Sequence, residues 1–163
     1  MTFVIRSATE SDAGCLAAIL REASRDVAER FGLTPENCPK HPSNCTAEWI
    51  EAGFEKGIVY FVLEEDGDPC GCVGLEQASS EVYYLVRLAV LPDHRRQGFG
   101  TALANRACAE AQRLGARRVE IGTIAEHVAL SRWYEKLGFC HKNTAKFEHL
   151  PFTVAFMSKK LVD

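Results

Sequence analysis

The chain has 163 residues, 47% of them apolar and 25% charged, enough for one domain with a buried core. Nineteen Lys and Arg against 22 Asp and Glu leave a net charge of −3, which excludes a general pull toward nucleic acid or an anionic membrane, so any polyanion must be held locally. No apolar run is long enough for a bilayer and the start, MTFVIRSATESD, lacks a basic segment followed by an apolar stretch, so a cytoplasmic protein with no nucleic-acid or membrane partner is expected.

Residues 3–6 read as a short strand, and Thr9 with Asp12 forms a capping box that opens a helix. Its apolar face is Leu16, Ile19, Leu20, Ala23 and Val27, and Gly32 ends it. The proline-punctuated segment TPENCPKHPSNCT, residues 34–46, is a loop. Thr46 caps a second helix carrying Trp49, Ile50 and Phe54, stopped by Gly57. Residues 58–63 and 70–75 are β-rich and joined through EEDGDP as a hairpin, and a longer strand over 82–90 runs into Leu91-Pro92.

From Phe99 the spacing turns helical, with Leu103, Ala107, Ala111 and Leu114 on one side and Gly115 past the end. A strand over 118–121, a helix from about 126 to 137 closed by Gly138, and strands near Phe139 and over 152–157 complete the order βααβββαβαββ. The fold class is α/β (α+β) in a single domain spanning 1–163. Seven scattered cysteines, an odd number, read as reduced thiols that mostly fill the core, Cys108 and Cys140 among them.

The segment LAVLPDHRRQGFGTAL carries the chemistry: a strand ends at proline, a basic glycine-containing turn follows, and a helix starts at once. Gly98 and Gly100 let the backbone approach an anion, the free N–H groups of the helix start point at it, and Arg95 and Arg96 add charge. Neither the P-loop pattern nor the third glycine of the dinucleotide fingerprint is present.

Arg95-Arg96-Gln97-Gly98-Phe99-Gly100, together with YEKLGF ending at Phe139, resembles the GNAT superfamily of N-acetyltransferases. The resemblance implies a mixed, twisted sheet flanked by helices and splayed between strands 82–90 and 118–121, with coenzyme A in the opening. It implies main-chain contacts of Leu88, Ala89 and Val90 to pantetheine and of Arg96, Gln97, Gly98, Phe99, Gly100 and Thr101 to pyrophosphate. Tyr134 takes the place of the general acid that protonates the departing thiolate, and His127 stands where asparagine often bonds pantetheine. The implied reaction moves an acetyl group from acetyl-CoA to an amine of a small molecule or peptide, with a homodimer as a further implication. A coenzyme A-binding sensor without transfer activity is the alternative.

No general base is evident, since the strand position that sometimes carries glutamate falls on Tyr84 or Val86; Glu76, Glu81 and Glu120 remain candidates. Cys38, His41 and Cys45, with His149 as a fourth ligand, could hold zinc, but no CxxC pair is present and no metal is expected. The resemblance implies another role for the loop 34–46, since the region between the first two helices commonly lines the acceptor pocket in that family.

Overall fold

Tyr60, Phe61, Val62 and Leu63 follow one another along a strand and each is 1% exposed or less, so both faces of that strand are covered. The computed structural model describes residues 2–162. Its elements are β1 (Phe3–Ser7), α1 (Ala13–Phe31), α2 (Ala47–Glu55), β2 (Val59–Glu65), β3 (Asp68–Gln77), β4 (Val82–Val90), α3 (Phe99–Arg113), β5 (Arg118–Ile124), α4 (Val128–Lys136), β6 (Cys140–Lys146) and β7 (Thr153–Lys160), in the expected order. They form one seven-stranded sheet, β1-β2-β3-β4-β5-β7-β6. Phe61 and Leu63 turn toward α3, packing with Leu103, Ala107 and Ala111. Tyr60 and Val62 turn the other way, toward Leu16 and Leu20 of α1 and Ile50 of α2. Among the described residues no helix is long and apolar enough to cross a membrane.

Local chemistry moves some expected boundaries. The β2–β3 connection shrinks to Asp66-Gly67, because both residues adopt positive φ, 51° and 88°, and such a turn matches the twist of the paired strands. Leu114, expected in the buried stripe of α3, is 40% exposed, because the helix ends one residue earlier and leaves it as the cap. Cys140 is exposed and not a core residue, because β6 is an edge strand; the preceding Phe139 takes the buried place.

The sheet opens between β4 and β5, its one parallel pair. They are matched only over Val82↔Arg118, Tyr83↔Val119 and Tyr84↔Glu120, while β5 stays paired to β7 along its whole length. A bulge in β4 accompanies the divergence: the β3–β4 register shifts between Cys72 and Gly74, and Arg87 takes φ 54°. One extra residue reverses the strand's phase. Tyr83 and Leu85 face α3 before the bulge, and Leu88 and Val90 do so after it.

At the start of the chain, Arg6 grips Asp12 with two bonds of 3.0 and 2.9 Å, and Asp12 also accepts from the Thr9 N–H at 2.8 Å. The Arg6 hydrogen bond, against a burial penalty and helped by Thr9, lowers the Asp12 carboxyl from 3.8 to about 2. A depressed carboxyl stabilises the fold fully above its unfolded value and ceases to do so as pH falls through the folded one. Asp12→Asn should therefore lose about 1 kcal/mol at pH 6. In urea titrations repeated down the pH scale, its gap from the wild type should close between pH 4 and 2; a gap constant with pH contradicts the assignment.

Candidate active site

Where β4 and β5 part, a cleft of about 1150 Å³ opens, walled by β4, β5, α1, the loop before α2 and the starts of α3 and α4. Of the residues expected to hold coenzyme A or to act as general acid, all but Gln97 line this one cleft.

The turn entering α3 is held from below and left free above. Leu91 N–H bonds the Cys70 carbonyl, and His94 Nδ1 meets the buried carboxylate of Glu65 at 2.7 Å. Phe99, 3% exposed, plugs the helix start into the core against Phe3. Arg96 and Gly98 both take left-handed φ, 65° and 82°. The first helical bond is Ala102 N–H to the Gly98 carbonyl, and the N–H groups of residues 96–101 have no acceptor among the described residues. A row of donors with a helix start behind it is an anion site in waiting. Gly98 serves through its φ, since a Cβ there would meet nothing within 4 Å; Gly100 serves through packing, since its Cβ would come to 3.2 Å from the Trp133 ring of α4.

The two arginines of the turn diverge. Arg95 donates to the carbonyls of Val90 at 3.1 Å and Ala23 at 2.6 Å and to Asp26 at 2.8 Å, so its guanidinium braces α1 to the end of β4. Arg96 is exposed and, among the described residues, enters no ion pair.

Tyr134 sits in α4 between the rings of Trp133 and Phe139, at 5.0 and 5.4 Å, and is 6% exposed. Burial, with a smaller contribution from Cys108, pushes its phenol well above the ordinary value, so it keeps its proton at neutral pH. His127 caps α4, its ring 5.7 Å from that of Phe31. Its Nδ1 is buried with no partner among the described residues, and burial, then the nearby Arg30, pushes its pKa down.

Of the three carboxylates considered as bases, Glu120 alone lines the cleft. Burial raises its pKa, but bonds from Lys142 at 2.8 Å and Arg118 at 3.0 Å outweigh that, and the carboxyl is held below its ordinary value. Cys38 and Cys45 belong to separate apolar clusters and His41 Nδ1 is engaged by Ser43 Oγ at 2.7 Å, so these three do not converge. Among the described residues the one gathering of metal-type ligands is Glu65, Cys70 and His94, where the His–Glu hydrogen bond is already made. The loop side chains that do reach the cleft are Cys38, Lys40, His41 and Pro42.

Arg87 also lines the cleft and was not singled out by the sequence. Its one signal there is a charged residue inside the apolar run YYLVRLAV.

The sequence model of the Acetyltransferase (GNAT) family matches residues 28–139. An uncharacterised N-acetyltransferase of Methanocaldococcus jannaschii is 33% identical over 151 residues, 89% of this chain; the chain spans 64% of that relative's length. An uncharacterised N-acetyltransferase of Escherichia coli is 29% identical over 144 residues, 85% of this chain and 82% of the relative. The crystal structure of an N-acetyltransferase from Thermoplasma acidophilum in complex with coenzyme A superposes with a TM-score of 0.77 over 98% of this chain and 99% of that one, at 18% identity.

Proposed function

The chain belongs to the GNAT acetyltransferase family, and on that premise we propose that it moves an acetyl group from acetyl-CoA to the amine of a small molecule or peptide, with Tyr134 as general acid. The observation that carries the reading is the row of unbonded N–H groups at residues 96–101, opening into the same cleft as a buried, protonated phenol. The cofactor-bound Thermoplasma relative supports the choice of coenzyme A.

Acetyl-CoA would supply the activated acyl group as a thioester. The N–H groups of Arg96 to Thr101 hold the pyrophosphate, Gln97 through main chain alone, with the Arg96 side chain as counter-charge. Leu88, Ala89 and Val90 lie on the part of β4 that has no β5 partner, and their main chain receives the pantetheine amides as an added strand would. The orphaned Nδ1 of His127 finds its partner in the bound ligand, since a buried polar atom left unpaired is costly. Tyr134 gives its proton to the departing sulfur.

The amine attacks directly, because holding both reactants in line supplies much of the rate and no enzyme nucleophile is needed. Cys108, which contributes to the raised pKa of Tyr134, is itself buried with its pKa raised, which suits packing and not attack. An amine of pKa about 10.4 must shed a proton first. Glu120, the one candidate carboxylate on the cleft, orients the water that takes it, since its bonds to Lys142 and Arg118 hold its own pKa down. A cytoplasmic location belongs to the same reading, since all seven cysteines stand as free thiols.

The test is calorimetric titration with acetyl-CoA, followed by a thiol-release assay over a panel of amines. Saturable binding with amine-dependent release of coenzyme A is the expected result. Binding with no release on any amine would replace the enzyme by the sensor, and a folded protein that binds nothing would end both readings.

A further inference from the structure

The bulge in β4 has a chemical consequence for the acceptor. Val86 and Arg87 are consecutive, yet both lie on the α1–α2 face: Val86 packs with that cluster, and Arg87 reaches Tyr60 and Trp49, which belong to it. The phosphate turn leads into α3, on the opposite face. Arg87 is thus a cation in the cleft on the side away from the helix start.

One edge of its guanidinium is fixed. Nη1 donates to the Tyr60 hydroxyl at 2.5 Å and to the Trp49 carbonyl at 3.4 Å, and the group stands 6.0 Å over the Trp49 ring. Tyr60 is itself tightly placed: a Cβ on Gly53 would come to 2.4 Å from its hydroxyl, and one on Gly74 to 3.0 Å from its ring. Two glycines keep the space that this tyrosine needs to hold the arginine.

The other edge has no partner. Every acceptor Arg87 meets is neutral, and no carboxylate pairs with it among the described residues, although the chain carries more acids than bases. Both carboxylates that line the cleft are taken, Asp26 by Arg95 and Glu120 by Arg118 and Lys142. Lys40, on the loop over this side, also lines the cleft and, among the described residues, enters no ion pair. A guanidinium oriented by neutral groups, on a residue that lines a cleft and with donors left over, is arranged for a planar anion.

We propose that Arg87 receives the carboxylate of the acceptor, so that the substrate is an amine carrying a carboxylate, as a free amino acid does; this rests on the acetyl-transfer reading above. The contact is made in ground state and transition state alike, so its loss falls on KM and not on kcat.

The test uses matched acceptors, each α-amino acid beside its amide and its decarboxylated amine. The acid member should show a kcat/KM about 100-fold higher, in line with a charge-assisted bidentate contact. In Arg87→Gln that ratio should collapse through the acceptor's KM, with Arg87→Lys recovering part of it. Tyr60→Phe, which frees the guanidinium but leaves its charge, should give an intermediate ratio and guards against a misfolded arginine variant. Equal use of acids and plain amines, or an acid preference that survives Arg87→Gln, overturns the proposal. A second arm needs no turnover: N-acetylated amino acids should raise the melting temperature of the coenzyme A-loaded wild type and not of Arg87→Gln. If no amine is acetylated, the transfer reading fails while this arm still decides Arg87, and a wild type indifferent to those ligands overturns it.

Discussion

Tyr134→Phe is expected to lower kcat by about a hundredfold or more, the range for loss of a positioned proton donor, while the melting temperature stays within a degree or two. The two halves of that statement have separate causes. The ring is held by Trp133, Phe139 and the core around them, and phenylalanine keeps all of those contacts. Burial, then Cys108, raises the phenol's pKa, and among the described residues its oxygen makes no hydrogen bond that the substitution would remove. Because the phenol is lifted above its ordinary value, it stays a donor through the whole working range, and the wild-type rate should show no alkaline limb from its ionisation below pH 10. Stopped-flow single turnovers separate the chemical step from product release. A variant with wild-type single-turnover rate removes Tyr134 from the reaction.

Gly98→Trp is expected to weaken acetyl-CoA binding about 100-fold or more, because an indole within the donor row covers the N–H groups that neighbour it. Gly98→Ala is the control. A methyl group there meets nothing within 4 Å, but the residue holds φ 82°, which disfavours any L side chain by about 1–2 kcal/mol. The alanine variant should therefore melt earlier yet still bind, and the tryptophan variant should melt earlier and lose binding. Calorimetry and thermal denaturation on both proteins read the two effects apart. A folded tryptophan variant with unchanged affinity would move the pyrophosphate away from this turn.

Some of this candidate site was legible in the sequence because its geometry is main-chain geometry. A left-handed residue before a helix and an indole ring packed close to the helix backbone both favour glycine, so Gly98 and Gly100 mark the turn in the sequence. The element order was legible for a similar reason, since each apolar period has one compatible partner surface. Arg95 was not: whether its guanidinium meets a ligand or the protein depends on Asp26, 69 positions away, and on the end of α1. Glu120 was equally opaque, because the lysine that occupies it comes from β6. Arg87 was hidden by the bulge. An arginine in regular alternation between Leu85 and Ala89 would face α3, and only the extra residue sends it to the other side.

The three residue pairs between β4 and β5 make the sheet two panels sharing a short seam, β1 to β4 on one side and β5 to β7 on the other. A ligand that lies along the open part of that seam does the work of a missing strand, and it favours the folded chain over the unfolded one by mass action. On the proposed reading, the protein filled with acetyl-CoA would be mechanically a different object from the empty one, closer to a continuous sheet, and its resistance to heat and proteolysis would follow the supply of that molecule.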